Sequence, residues 1–169
     1  DVDSLTRFWL TSEVMRNEIG SGSTYMYKDI DAPIHFGPVW DFDYGSDSVA
    51  PFGASSAVSW ASNGRWWFSE IMKDPYFAVK ARELYLAKED TLKEAVKENG
   101  TLDRWHDYIK ESGIKNQQHW HYSRGFEEDN TVLKNWLNKR FNWMDKQFAS
   151  DASAMESMHV NLSDKFSLK

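Results

Sequence analysis

The sequence predicts an α+β fold that is mostly α, with a small N-terminal β-hairpin packed on a bundle of about four to five helices. Apolar residues recur at helical spacing over most of the chain beyond residue 65. Helix start and stop signals, such as Asp74-Pro75 and Asn99-Gly100, divide this region into separate helices. One short run of β-forming residues, interrupted by a turn, lies within residues 23–39 and predicts the hairpin.

The composition is that of one folded, acidic domain. Of 169 residues, 41% are hydrophobic and 15% aromatic, which is enough for a sizeable core. The formal net charge is −6 without a basic block, so a nucleic-acid partner is not expected, because phosphate binding needs clustered Lys and Arg. No apolar run approaches the roughly 20 residues of a spanning helix, so we expect no transmembrane segment. The lack of cysteine excludes disulfides and thiolate chemistry.

The N-terminal third is expected to contain one helix and the hairpin. Residues 3–18 have apolar side chains at helical spacing, with Asp3 or Ser4 as the capping residue. Gly20 and Gly22 then end the pattern. They resemble part of a phosphate loop, but Tyr25 stands where a third glycine is needed, and a plain turn is favoured. Residues 24–27 and 34–36 are the two strand candidates.

The rest of the chain is expected to be a long loop followed by helices. Residues 44–64 are rich in Gly, Ser and Ala and predict the loop. Helices are predicted at residues 66–72, from Asp74-Pro75 to Asn99-Gly100, from residue 101 to near Gly113, and at 127–148. From residue 150 the sequence is polar and small, which divides the chain into a domain at 1–149 and a loose or extended tail at 150–169.

Several side chains invite both a functional and a structural interpretation. Trp60, Trp66 and Trp67 follow the long loop and could stack on a glycan, although a place in the core is favoured. His119 and His121 flank Trp120, and an ordinary surface position is favoured over a metal site. His35 and His106 each stand alone and are interpreted as packed or hydrogen-bonded residues. Arg140 interrupts an apolar stripe, so we predict a buried pairing with an acid.

The strongest candidate for chemistry is the acidic pair Asp41 and Asp43, in the string Phe-Gly-Pro-Val-Trp-Asp-Phe-Asp-Tyr-Gly at residues 36–45. In an extended segment, side chains two positions apart point to the same face. Two carboxylates facing one way are suitable ligands for Mg²⁺ or Ca²⁺. The alternatives are a solvated surface turn, or carboxylates that only cap and hydrogen-bond within the fold. Asn17 and Glu18, at the end of the first helix, are expected near Asp41.

Taken together, these stretches resemble the spore coat protein H (CotH) kinase family over roughly residues 1–148. The most specific part is Gly37-Pro38-Val39-Trp40-Asp41-Phe42-Asp43. The supporting stretches, which occur in the family's order and spacing, are residues 13–17, 23–28, 67–77 and 132–145. The resemblance implies the C-terminal part of the family domain, with a fold like the C-terminal lobe of an atypical kinase.

The resemblance also implies an activity and its cofactors. These are transfer of the ATP γ-phosphate to Ser or Thr of a protein substrate, with Mg²⁺ or another divalent ion. Asp41 resembles the metal-binding Asp of the kinase Asp-Phe-Gly motif and Asp43 assists it, so both are assigned to the metal and, with Trp40, to the cofactor. Asp41, Asn17 and Glu18 are the catalytic candidates. The setting implied is extracellular or on a bacterial cell or spore surface.

Two departures from the family pattern lead us to expect that this chain alone is incomplete or inactive as a kinase. Family members usually carry an Asp two residues after the position of Asn17, where this chain has Ile19 with Glu18 beside it. The family's ATP-covering N-terminal sheet and its phosphate-binding Lys have no counterpart before Asp1. The alternative function is a non-enzymatic surface or extracellular module that binds a protein or glycan and retains the acidic turn.

Overall fold

The computed structural model describes residues 1–17, 23–46, 56–63, 65–121 and 123–162. Its mostly helical architecture with one small antiparallel sheet confirms the predicted fold class. Among the described residues no helix is both long and apolar enough to cross a membrane. The elements are α1 (Val2–Met15), β1 (Met26–Tyr27), β2 (His35–Phe36), α2 (Trp66–Met72), α3 (Pro75–Ala95), α4 (Thr101–Trp120), α5 (Phe126–Gln147) and α6 (Asp151–Ser157).

Helix α1 is defined by a cap at each end. Asp1, rather than Asp3 or Ser4, is the N-cap, and its carboxylate accepts a 2.6 Å hydrogen bond from the backbone N–H of Ser4. At the other end Arg16 is left-handed, with φ of 50°. The N–H of Arg16 then donates to Glu13 O and the N–H of Asn17 to Ser12 O, which is the Schellman pattern. The helix therefore ends earlier than the predicted residue 18.

The predicted hairpin is confirmed, although each strand has only two residues. Met26 pairs with Phe36, and Tyr27 pairs with His35. Phe36 attaches the hairpin to the helices, since its ring lies 6.0 Å from Phe8 and 5.6 Å from Trp67 between centroids. Its backbone N–H also donates to the Ser4 hydroxyl at 3.1 Å. The hairpin is thereby fixed to the first turns of α1.

The core lies between α1, α3 and α5. Helix α3 begins as predicted, with Asp74 accepting from the Phe77 N–H at 3.0 Å and Pro75 in the first turn. Trp9 of α1 packs edge-on against Phe77, with ring centroids 5.3 Å apart. The largest fully buried apolar side chains are Trp9, Phe68, Phe77, Tyr85, Met144, Phe148 and Met158.

Helix α4 does not end near Gly113 as predicted; it continues to Trp120. The glycine is used for packing, because the Phe126 ring of α5 occupies the space that a Cβ at Gly113 would need. Glycine in a helix interior costs about 1 kcal/mol relative to alanine, and the contact with α5 offsets that cost. A helix stop was therefore the wrong interpretation of this residue.

The chain from residue 150 also differs from the expected loose tail. Ser150 caps α6 by accepting from the Ser153 N–H at 3.1 Å, and Ala154 and Met158 are buried. Small residues are needed here because α6 packs closely on α3 and α5. Residues 163–169 lie outside the described residues, and the domain boundary at residue 149 stays a prediction.

The junction of α4 and α5 contains a carboxylate whose ionisation stabilises the fold. Lys134 Nζ lies 2.6 Å from Asp103 Oδ2, and Asn130 donates to Asp103 Oδ1 at 2.9 Å. These groups, Lys134 first, hold the pKa of Asp103 below its usual value. A lowered pKa in the folded state stabilises above the unfolded pKa, about 3.9, and the contribution is lost as pH falls through the folded pKa.

We therefore expect Asp103→Asn to be less stable than the native protein at pH 6. The gap between their urea midpoints should close as the pH is lowered below about 4, because Asp103 then takes up a proton in the unfolded chain before it does so in the folded protein. Urea unfolding at a series of pH values measures this gap. A gap that persists unchanged well below the unfolded pKa would show that the charge of Asp103 is irrelevant.

Candidate functional site

The segment that carries the acidic pair is docked on the C-terminal end of α1. The N–H and the hydroxyl of Ser46 both donate to Met15 O, at 2.9 and 3.1 Å. This carbonyl is one of those that a helix leaves without an internal partner. Gly45 lies against the same atom, so that a Cβ built there would be 2.5 Å from Met15 O. The turn at 42–46 is therefore anchored close to Asn17.

Backbone strain is concentrated around this end of α1. Eight non-glycine residues in the described chain have positive φ. Four of them are Arg16 at 50°, Asp41 at 64°, Ser46 at 57° and Ser59 at 78°. Ser46 bonds to Met15, and Ser59 accepts from Arg16 Nη2 at 3.0 Å. Such conformations cost of order 1–3 kcal/mol each and cluster at functional sites, so the strain itself marks this region as a candidate.

A buried ion pair links the last turns of α1 to α5. Glu13 and Arg140 are both fully buried, and Arg140 Nη2 lies 3.0 Å from Glu13 Oε2. Arg140 also donates from Nε and Nη2 to the backbone oxygen of Glu13, at 2.9 and 2.6 Å. Its Nη1 donates to Ala57 O and Ser59 O. The predicted buried pairing of Arg140 with an acid is confirmed.

The other side of Glu13 is satisfied by the loop that follows the acidic turn. The backbone N–H groups of Ala61 and Ser62 donate to its two oxygens at 2.7 and 2.8 Å, and the Ser62 hydroxyl donates at 2.5 Å. Burial lowers the pKa of Arg140 to about 10, so the guanidinium stays charged at neutral pH. The network therefore joins α1, α5 and residues 57–62 into one unit.

The two candidate metal ligands are both solvent-exposed. Asp41 Oδ2 accepts a 3.0 Å hydrogen bond from the Ser23 hydroxyl. Asp43 lies within the turn that the hydrogen bond from Gly45 N–H to Phe42 O closes at 3.2 Å. Because the φ of Asp41 is 64°, the segment is not extended there, and the argument from alternation for a shared face does not apply.

The remaining candidates differ in their surroundings. Trp40 is 58% exposed and meets Tyr25 edge-on, with ring centroids 6.3 Å apart. Asn17 is buried directly beyond the α1 cap. Glu18, like Gly20 and Gly22, lies outside the described residues. The structure thus anchors the turn at 42–46, which contains Asp43, close to the helix end that carries Asn17, and Trp40 and Asp41 directly precede that turn.

The donor set suits one kind of divalent cation. Among the described ranges no group of three or more His, Asp or Glu side chains could hold a metal by itself. Mg²⁺ does not need such a cage, since it commonly takes one or two carboxylates and completes its shell with water and phosphate oxygens. The exposed carboxylates of Asp41 and Asp43 are the type of ligand that such a site uses. They do not fit a structural Ca²⁺ site, which takes 6–8 oxygens.

Trp60 and Trp67, two of the tryptophans proposed for glycan contact, do not form one exposed aromatic surface. Trp60 is only 5% exposed and packs against Trp9 and Trp143, while its indole N–H donates to Ser157 O at 3.2 Å. Trp67 is 37% exposed and stacks on Phe68. The side chain of Trp66 is outside what the structure describes. Glycan contact through Trp60 is therefore wrong, because that ring belongs to the core.

We expect Gly45→Ala to loosen the acidic turn from α1. The added methyl group would meet Met15 O, a backbone atom that cannot swing away, and overpacking of this kind costs about 1–3 kcal/mol. Chemical unfolding should show that loss. Gly125→Ala is the matched control, since a Cβ there meets no atom within 4 Å. Equal stability of the two variants would contradict the close approach.

Comparison with known proteins identifies the family. A family model described as CotH kinase protein matches residues 1–144 of the chain. Searches of curated proteins and of solved structures returned no significant match. The matched region contains α1, the hairpin, the acidic turn and nearly all of α5, including Glu13, Asp41 and Arg140. On this match the chain belongs to the CotH kinase family.

Proposed function

We propose that this chain is a kinase-like domain that binds a divalent cation together with ATP at Asp41 and Asp43. The observation that carries the proposal is the double anchoring of the acidic turn on Met15 O by Ser46, beside Asn17. A ligand-bearing turn must be held in place, because phosphoryl transfer depends almost entirely on positioning and electrostatics. Membership of the CotH kinase family supports the same assignment.

Each residue of the proposed site has a distinct role. Asp41 binds the cation directly, and the hydrogen bond from Ser23 orients its carboxylate. Asp43 supplies a second oxygen from the same turn, and Asn17 supplies a polar group at the helix end. Trp40 offers an exposed ring against which a nucleotide base can stack. When bound, the cation neutralises charge on the phosphates.

We further propose that transfer to protein Ser or Thr by this chain is slow. Ile19 occupies the position at which family members usually carry a carboxylate, and its side chain can neither orient a hydroxyl nor accept its proton. Glu18 has a carboxylate but is offset by one residue. A correctly placed general base contributes about 10²–10⁴-fold, which is the scale of the expected deficit.

The second candidate is a non-enzymatic module that binds a protein at a cell or spore surface. The observation in its favour is the row of exposed large side chains on the hairpin and the segment after it. Each of these residues is between 46% and 58% exposed, and the set comprises Tyr25, Met26, Tyr27, Ile34, Val39 and Trp40. Exposed contiguous apolar surface often marks an interface.

Thermal melting with Mg²⁺ alone, ATP alone and both together distinguishes the two candidates. A ligand at about 100 times its Kd stabilises by about 2.7 kcal/mol, which for a chain of this size is about 5–10 °C. The kinase-like site predicts a shift with Mg²⁺ and ATP together that exceeds either alone. The module predicts at most a metal shift that ATP does not increase.

The variant Asp41→Asn should lose this shift. Asp31→Asn is a close control, since Asp31 is also an exposed hairpin-region aspartate with positive φ, at 61°. Equal nucleotide-dependent shifts in both variants would remove Asp41 from the proposed site.

A further inference from the structure

A groove of about 680 Å³ lies between α1 and α3 and extends to Met15, the residue on which the acidic turn docks. The two helices run in the same direction, since Asp3 pairs with Lys80 at 2.6 Å near their starts, and Met15 and Leu92 line the groove further along. The lining residues are Arg7, Leu10, Thr11, Val14, Met15, Leu84, Lys88, Thr91 and Leu92.

The groove has an apolar floor with cations beside it. Leu10 and Val14 are buried at the bottom, and Leu84 and Leu92 are half-buried along the α3 side. Arg7 and Lys88 are exposed, and neither makes an ion pair among the described residues. Among the described residues the lining contains no acid, although the chain has 26 acidic and 20 basic residues.

Two described acidic groups lie just outside this lining. Asp3 and Glu83 belong to the adjoining concavity, which shares Arg7 and Leu84, and Asp3 is paired with Lys80 and also interacts electrostatically with Arg7. The groove is thus a locally cationic strip on a protein of net charge −6. Electrostatic complementarity therefore favours an occupant that is acidic where it meets Arg7 and Lys88.

The shape of the groove indicates the form of that occupant. Its lining recurs at every fourth residue on both helices, at 7, 11 and 15 on α1 and at 84, 88 and 92 on α3. Eight residues of helix rise about 12 Å, which is just over two turns. An open apolar groove of this length between two helices is suited to the apolar face of a third helix.

We propose that this groove binds an acidic amphipathic helix of a partner protein. Apolar side chains of the partner at helical spacing lie on Leu84 and Leu92, and its Asp or Glu residues pair with Arg7 and Lys88. The assignment is independent of the nucleotide site, and the test below contains no nucleotide and no metal.

The test uses two synthetic peptides of roughly 16 residues, long enough to form a helix over the groove. Both carry Leu at helical spacing, and they differ only in having Glu or Lys at every flanking position. Fluorescence anisotropy at about 0.15 M ionic strength should give an affinity for the Glu peptide at least about tenfold above that for the Lys peptide. The double variant Arg7→Glu/Lys88→Glu should reverse that preference.

Matched variants separate the groove from general charge effects. Lys115→Glu/Lys139→Glu makes the same change in charge at exposed sites outside the groove and should leave the preference intact. Leu84→Asn should weaken the Glu peptide at least about tenfold while the protein stays folded, since Leu84 is only half-buried against the core. Circular dichroism confirms that each variant is folded.

Three outcomes would overturn the proposal. The first is equal affinity for the two peptides. The second is a preference that Arg7→Glu/Lys88→Glu does not alter. The third is binding of dodecanoate, displaced by neither peptide, which would assign the groove to small anionic amphiphiles instead.

Discussion

Replacing Arg140 with methionine is expected to lower the free energy of unfolding by about 3–5 kcal/mol. The substitution leaves the Glu13 carboxylate buried without its cation, and removes the donors to the backbone oxygens of Glu13, Ala57 and Ser59. It also removes the guanidinium that lies 4.7 Å from the centroid of the Trp143 ring. Urea unfolding measures the loss.

A double variant tests the origin of that loss. Glu13→Gln/Arg140→Met removes both charges, so it should be more stable than Arg140→Met alone. Arg104→Met serves as the surface comparison, because the pair that Arg104 makes with Glu94 is exposed, and it should cost no more than about 1 kcal/mol. If Arg140→Met were no worse than Arg104→Met, the buried pair would not support the end of α1.

The second large expected effect is an increase in the rate of phosphoryl transfer. Ile19→Asp is expected to raise phosphoryl transfer from ATP to a protein substrate by about 10²–10⁴-fold, because it restores a carboxylate where family members usually have one. Radiolabel transfer from ATP in the presence of Mg²⁺ measures the rate, with incorporation into the chain itself and into added protein counted separately.

Three further variants test whether the carboxylate at position 19 causes the increase in rate. Ile19→Asn has the size and polarity of the aspartate without its charge and should give no gain. Asp41→Asn combined with Ile19→Asp should abolish the gain, since the cation site is lost. Glu18→Gln tests the neighbouring carboxylate. Robust transfer by the native chain that Glu18→Gln abolishes would mean that Glu18 already fills the role and that Ile19 is not the deficit.

Much of the fold could be predicted because its signals are local. Asp74 and Pro75 specify the start of α3, and the spacing of apolar residues specifies α1 and α5. The wrong predictions concern residues whose secondary structure depends on tertiary contacts. Gly113 continues α4 because Phe126 packs against it, and α6 forms because Ala154 has a buried place beside α3 and α5.

The site could be predicted less completely. Arg140 in an apolar stripe required an acid, and Glu13 was detectable as that acid, since it lies four residues from Trp9 on the buried face of α1. The support from Ala61 and Ser62 had no local signal, because it depends on how a long loop returns to α1. The left-handed φ of Asp41 was equally hidden, since aspartate can adopt this conformation but the local sequence does not require it.

Under the proposed function, Asp41 and Asp43 hold a divalent cation together with ATP. Titration with Mn²⁺, with and without ATP, tests this binding. Bound Mn²⁺ is measured as the loss of the electron paramagnetic resonance signal of the free ion. We predict that ATP strengthens Mn²⁺ uptake by the native chain and by Asp31→Asn. We also predict that Asp41→Asn/Asp43→Asn binds at least about tenfold more weakly. Uptake by the double variant that equals that of the native chain would contradict the account.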